Sequence, residues 1–574
     1  MDYSIKIGGE AGQGIQTIGD TLSRVFARDG YHVFTHQDYD SRIRGGHNFY
    51  QIRLADTPVI APRDRIDILV AFDLESIVLD EQALTSSGRI IYDSSLIKEH
   101  YDKPHFLDIP FAKLAEQSGG LAIMANTVAL GAVLGMLGIE PGQLFRIIAD
   151  TFMKKGDAVV QANKNAAMAG YDHAVRNCTR CSFGVSATGT PKMLIGGTEA
   201  LGFGALASGC KFYAAYPMTP STGIMNYLAA HEKEFGIVVE QAEDEIAAIN
   251  MALGASFGGA RAMTGTSGGG FALMVEGVSL AGMTETPIVI ALGQRPGPAT
   301  GLPTRTEQGD LSMVLSAGHG EFPRVVFAPG TPQQAIALTN KAFDLTEKYQ
   351  VPAFVIFDTF LADSQWTFGG VDENTLQYTD HRLRGEAFRN LPAYKRHALT
   401  QNGVSPLGVP GDGPHVVVTD SDEHDDAGHI AEDGATRTAM VEKRLFAKMP
   451  YLQAEISPPF FYGAPDPEIV IVGWGSLYGV MREAVDGLSR SYKIAMLHFS
   501  QLFPFPLTQE FDFLGILDRA QHTICIEQNA TGQFARLMKT ETGFEFNSQV
   551  NKFDGRPFTL ERLTGELNEH LRNL

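Results

Sequence analysis

Residues 237–270 read IVVEQAEDEIAAINMALGASFGGARAMTGTSGGG, and this stretch decides the fold class. Ile237–Val239 is a short β-branched run that predicts a strand. It leads into three consecutive acids, Glu243, Asp244 and Glu245, which open a helix of small residues from Ala247 through Ala255. A second strand follows at Ala262–Gly265, and TGTSGGG turns it into another helix. Strand, helix and strand in this order predict an α/β fold with a mostly parallel sheet. Acids in a first helical turn are ordinarily explained by the helix dipole, which accounts for at least two of the three. A carboxylate at the mouth of a site, held next to a ring nitrogen, could instead drive proton transfer.

Reading outward, the strand Phe212–Tyr216 ends in YPMTPST, residues 216–222. In a parallel sheet, ligands bind at the carboxyl ends of strands. Pro217 and Pro220 stiffen the loop and leave Thr219 between them with a hydroxyl that can give one aimed hydrogen bond. Ser221 or Thr222 is expected to cap the next helix. Downstream, the strand Ile288–Leu292 runs into ALGQRPGPATGLPTRTEQGDL, residues 291–311. Arg295 at a strand's carboxyl end suits bidentate capture of a carboxylate, and suits a structural ion pair equally well. The loop beyond it brings Thr304, Arg305 and Glu307. Val325–Phe327 and Ala353–Phe357 complete the strands of this unit.

The N-terminal segment also alternates. A strand at Tyr3–Ile7 runs into the turn Gly8–Gly14, a helix follows over Gln16–Arg28, and strands follow at His32–Thr35, Asp67–Phe72 and Arg89–Tyr92. GGEAGQG has the glycine order G-x-x-G-x-G, not the dinucleotide order. Gly12 and Gly14 could admit a phosphate at a helix N-terminus or form a tight turn without ligand. Arg44, beside Gly45 and Gly46, could grip a phosphate, present backbone to a partner or lie in a turn. A boundary is expected at Asn177–Pro191, residues 365–460 read as irregular, and a third α/β unit runs from EIVIVGWGS to a C-terminal helix. The expected domains are 1–180, 190–400 and 461–574, with 401–460 connecting.

A length of 574 residues requires several cores. The net charge of -20 argues against nucleic acid as partner. With four cysteines, Cys178, Cys181, Cys210 and Cys525, no dense disulfide framework is possible, which favours a reducing cytoplasm. No signal peptide and no apolar run of about 18 residues is found, so no membrane span is expected. The acidic run 420–433, with His415, His424 and His429 nearby, reads as a solvated loop rather than a metal site. No metal-binding residue is assigned. Cys178-Thr-Arg-Cys181 reads as an accident of the linker, with a metal pair or a disulfide as the alternatives.

Taken in order, these segments resemble the 2-oxoacid:ferredoxin oxidoreductases. GGEAGQG and RGG look like the family's gamma-type domain. YPMTPST, the helix at Glu245, TSGGG and QRPGPATGLPT look like its alpha-type pyrimidine-binding domain. IVGWGS, LFPFP and EQNATGQFARL look like its transketolase C-terminal-like domain. The fused gamma domain and TGLPTRTEQGDL look most like alpha subunits that act on 2-oxoglutarate.

The resemblance implies thiamine diphosphate as cofactor and roles for single residues. Glu245 would bond the aminopyrimidine ring nitrogen as the catalytic carboxylate, and Pro217 would lie against the cofactor. Thr219 would bond the substrate near its keto group, and Arg295, with Thr304 nearby, would pair with its carboxylate. Gly12, Gly14 and Arg44 are candidate coenzyme A contacts. The implied reaction is decarboxylation of a 2-oxoacid, two one-electron transfers through an iron–sulfur cluster to ferredoxin, and acyl transfer to coenzyme A, or its reverse. TSGGG departs from the TSGPG of many relatives, which touches the shape of that loop.

Half of such a site is missing from the chain. Gly411-Asp412-Gly413 has no following Asn before Asn529, so it reads as a turn and not as a diphosphate–metal motif. Four clustered cysteines for a 4Fe–4S cluster are also absent. A smaller beta subunit is therefore expected to bring Mg, diphosphate contacts and the cluster, in an (alpha–beta)2 assembly. Pyruvate, branched-chain or aryl 2-oxoacids remain alternative substrates. A nucleotide-dependent dehydrogenase and a coenzyme A-binding scaffold remain alternative classes.

Overall fold

The computed structural model describes residues 1–41, 45–178, 181, 183–185 and 189–572. Among the described residues the chain forms three large sheets and one two-stranded sheet, divided between two compact units. The first unit comprises Met1–Ile195, Ser364–Gly370 and Thr559–Gly565, and the second comprises Gly196–Asp363, Val371–Phe558 and Glu566–Leu574.

The first sheet runs edge to edge through Phe106–Asp108, Leu84–Tyr92, Ile66–Ala71, Asp2–Ala11, Gly45–Ala55, His32–Asp38, Gln365–Phe368 and Met193–Gly196. It is not mostly parallel, as the sequence led us to expect. Asp2–Ala11 pairs parallel with Ile66–Ala71 on one side and antiparallel with Gly45–Ala55 on the other. His32–Asp38 and Gln365–Phe368 continue the antiparallel half. The turn expected over Gly8–Gly14 shrinks accordingly, because Gly8 and Gly9 pair with Phe49 and Asn48 inside the ladder. Gly45 and Gly46, for which a turn was one open reading, begin a strand of 11 residues.

Two expected boundaries also move. Gln365–Phe368, read as the start of irregular chain, is a strand of the first sheet. Gln501–Phe503, from the third α/β segment, pairs antiparallel with Val325–Phe327 of the second sheet. The second and third sheets share one apolar core, in which Phe271, Phe354, Trp474, Phe499 and Phe534 are fully buried. That burial explains why segments expected as separate domains form one unit.

The acidic stretch is a loop, as expected, but parts of it are packed rather than solvated. Glu423 accepts hydrogen bonds from Arg437 and Arg444. Burial works against its charge, but the two guanidiniums outweigh it and hold its carboxyl at about 2. His424 is wholly buried, 4.0 Å from the ring of His397. Beside them Glu285, at φ 50, accepts from Lys443, Lys448 and His397. Among the described residues no single helix is long and apolar enough to cross a membrane, and no three His, Cys, Asp or Glu side chains are grouped to hold a metal ion.

Candidate functional site

The second sheet carries six parallel strands in the order Val325–Phe327, Pro352–Asp358, Ile288–Gln294, Ala262–Ser267, Phe212–Ala215, Val238–Gln241. In register, Ser267 lies opposite Gly293, and Gln294 opposite Asp358. The chain therefore leaves four neighbouring strands at one edge through Tyr216–Thr222, Ala242–Glu245, Gly268–Gly270 and Arg295. This is the edge at which a parallel sheet binds ligands.

Glu245 is the first residue of the helix Glu245–Phe257. The three acids divide their work. Asp244 is the cap, its Oδ1 accepting from the Ala247 N–H at 2.8 Å. Glu243 is exposed. Glu245 is 6% exposed, and its carboxylate makes no hydrogen bond or ion pair among the described residues. Its oxygens are not among the fully enclosed polar atoms, so the acid is packed along its stem while its carboxylate opens toward the edge of the sheet, where no protein group takes it up. It leans over the helix Gly268–Thr284, where a Cβ on Gly270 would lie 2.5 Å from its Oε1 and 2.3 Å from Thr266 Oγ1. Glycine at 270 is what leaves room for the acid.

Thr219 and Arg295 come together, though through a backbone atom. Arg295 Nη1 donates to the Thr219 carbonyl at 2.9 Å. The Thr219–Pro220 peptide is cis, and Pro220 packs on Gly293, where a Cβ would lie 2.7 Å from its ring. The Thr219 hydroxyl is left for another partner. Pro217 is half-buried in the same loop. The expected cap is corrected. Ser221 is at the N-cap of Thr222–Ala230, but its hydroxyl donates to the Met218 carbonyl and caps no helix N–H.

Thr304 lies on the loop after Arg295 and forms no hydrogen bond with Glu245, Thr219 or Arg295 among the described residues. The third sheet holds this loop. Gln308 receives the Gln528 N–H at 3.0 Å and donates to the Trp474 carbonyl at 2.9 Å. Thr306 N–H donates to the Gly555 carbonyl.

Sequence reasoning missed Asp310 at the loop's end. A Cβ on Gly268 would lie 2.4–2.6 Å from the Asp310 carboxyl atoms. Burial raises its pKa to about 6, against the opposing charge of Arg295. Burial also lowers the pKa of Arg295, with Asp310 pulling the other way. Glu307 is raised by burial and by Asp310. An acid within one loop of Arg295 was visible in the sequence, but its burial against Gly268 was not.

In the first unit, Gly12 and Gly14 take φ 95 and 79, and Gly14 is the N-cap of Ile15–Arg28. They border a cavity of about 490 Å³ lined also by Gln16, Asp38 and Asn48. Arg44 lies outside the described residues. Cys178 and Cys181 are joined as a disulfide, which was one of the alternatives for the pair. Gly411 takes φ 86 in a turn, with Asp412 accepting from Arg384.

Two family models match the chain: "Pyruvate flavodoxin/ferredoxin oxidoreductase, thiamine diP-bdg" over residues 203–443, and "Pyruvate ferredoxin/flavodoxin oxidoreductase" over residues 4–173. A 2-oxoacid:ferredoxin oxidoreductase subunit alpha from a Sulfolobus species is 31% identical, covering 98% of this chain and 96% of that protein. The 2-oxoglutarate oxidoreductase subunit KorA of Mycobacterium tuberculosis is 29% identical over 97% of this chain and 90% of its own length. Among solved structures, 2-oxoglutarate:ferredoxin oxidoreductase from Magnetococcus marinus, with 2-oxoglutarate, coenzyme A and succinyl-CoA bound, covers 99% of both chains at a TM-score of 0.91 and 31% identity.

Proposed function

Since the chain belongs to the 2-oxoacid:ferredoxin oxidoreductases, we propose that it is the alpha subunit of an enzyme that converts 2-oxoglutarate and coenzyme A to succinyl-CoA and CO2 with reduction of ferredoxin, or the reverse. The reading rests on one observation: Glu245 stands buried and unpartnered at the ligand-binding edge of the sheet, over a glycine that makes room for it. The donor set fits the aminopyrimidine half of thiamine diphosphate, which needs a carboxylate free of other partners beside a ring nitrogen. Thiamine diphosphate, when bound, supplies a nucleophilic carbon and an electron sink for loss of CO2.

The chain's own residues do the rest. Glu245 holds the proton at the pyrimidine ring nitrogen, and Pro217 shapes the wall against the ring. Thr219, its carbonyl already taken by Arg295, offers its hydroxyl near the substrate's keto group. Arg295 pairs with a substrate carboxylate, with Thr304 on the same loop. Gly12 and Gly14 are the candidate coenzyme A contacts, at the cavity they border. The relatives' designation as alpha subunits supports a smaller beta subunit that brings Mg, the diphosphate contacts and the 4Fe–4S cluster. We place the (alpha–beta)2 enzyme in the cytoplasm.

The test is anaerobic reduction of a viologen dye by the co-expressed complex with coenzyme A, comparing 2-oxoglutarate with pyruvate. Faster reduction with 2-oxoglutarate is expected. Preference for another 2-oxoacid would keep the chemistry and overturn the substrate. No reduction by any 2-oxoacid, in a complex holding thiamine diphosphate and a cluster, would overturn the function.

A further inference from the structure

The loop that starts at Arg295 ends at Asp310, and the two charges come to bear on each other at the edge of the sheet. The backbone N–H of Asp310 donates to Gln294 Oε1 at 3.1 Å, which fixes the end of the loop beside the residue preceding Arg295. Its carboxyl lies on the Cα of Gly268, the first residue of a 17-residue helix. Asp310 Oδ2 is buried with no hydrogen-bond partner. The cap residue of that helix, Ser267, likewise leaves its hydroxyl unbonded. Among the described residues Asp310 therefore neither caps a helix with its side chain nor forms an ion pair, the two structural roles open to an acid in this place.

We propose that Asp310 sets the charge at the anion-binding position of Arg295, so that a substrate carboxylate is taken up together with a proton on Asp310. The proposal rests on the reading of Arg295 given above. Two anions in the field of one guanidinium in a partly dry site repel, and protonation of one relieves the repulsion. Arg295 and Glu307 are the charged groups whose fields reach Asp310. Ser267, Gly268 and Gln294 face it without charge, and so does Gln533, which bonds the adjoining Gly309 carbonyl and Ser312 N–H. A carboxyl that ionises at about 6 is poised to take up that proton near neutrality. The substrate carboxylates themselves titrate near 4, so they contribute no pH dependence in this window.

The test is KM for 2-oxoglutarate against pH, measured on the complete complex with Asp310→Asn, Gly268→Ala and Arg295→Gln. In the unaltered enzyme KM should rise about three- to tenfold between pH 6 and pH 7.5. Asp310→Asn should hold KM constant within about twofold over that range. Gly268→Ala places a methyl against the carboxyl and pushes it toward water, so the break should move down toward the ordinary carboxylate range. It keeps the test open if the Asn variant does not assemble. The same slope in the Asp310→Asn enzyme, or no slope in the unaltered one, would overturn the proposal. An Arg295→Gln enzyme with unchanged KM would overturn the Arg295 reading instead.

Discussion

At Gly12 and Gly14 the backbone turns through the left-handed region, and a side chain at 12 would meet nothing within 4 Å. At Gly268 and Gly270 the backbone is ordinary helix, and a side chain would strike the carboxyls of Asp310 and Glu245. Both junctions join a strand to a helix with several glycines. In the first unit glycine answers a conformational need. In the second it answers a steric one imposed by the carboxyls of two acids. The difference separates a turn that permits a ligand from a site already furnished with charged groups.

Substitutions at the two junctions sharpen that contrast, and their effects should descend in a set order. Gly270→Ala should cost the most, lowering dye reduction on the order of 100-fold, because the methyl displaces the Glu245 carboxylate while the helix itself accepts alanine. Retained cluster absorbance and little change in unfolding temperature would show that the loss is local.

Asp310→Asn comes next and acts on stability. Its folded pKa is raised by burial, so its contribution is fully present below the unfolded value near 4 and is lost as pH rises through about 6. The Asn variant should therefore unfold at a higher temperature than the unaltered complex at pH 7.5, by the equivalent of about 2 kcal/mol, and show no gain near pH 4. Differential scanning calorimetry at the two pH values checks this.

Gly14→Ala should destabilise the first unit by about 1–2 kcal/mol, since the new methyl meets φ 79 and lies 2.3 Å from Asn126 Nδ2. The amide that bonds the Gln13 carbonyl would have to move, and faster hydrogen exchange in the helices Ile15–Arg28 and Ala125–Leu137 would report it. Gly12→Ala should cost least, about 1 kcal/mol, because only backbone strain is at stake. A Gly12→Ala effect larger than that of Gly14→Ala would mean that open space at Gly12 is filled by something the chain alone does not supply.

The two junctions also differ in how far the sequence disclosed them. The second unit was legible because several of its strands are short apolar runs ending in Pro, Gly or acid-rich loops, which set Thr219, Glu245 and Arg295 near strand ends, and the family resemblance then gave them roles. Gly45–Ala55 was missed because two glycines signal a turn, and only its antiparallel pairing with Asp2–Ala11 makes it a strand. Gln365–Phe368 and Gln501–Phe503 are too short for periodicity, and each is a strand only because a distant edge receives it. Asp310 was invisible for a further reason. Its burial depends on the missing side chain of Gly268, a long-range fact that no local pattern carries.

The central claim is that Glu245 is held unpartnered over Gly270 to serve a cofactor, and replacing it with Gln in the co-expressed complex tests this most directly. The variant keeps shape and removes charge. With thiamine diphosphate and cluster content matched to the unaltered complex, dye reduction by 2-oxoglutarate and coenzyme A should fall by about 100-fold or more. Turnover within about twofold of the unaltered complex would contradict the account, because general acid–base groups contribute far more than that.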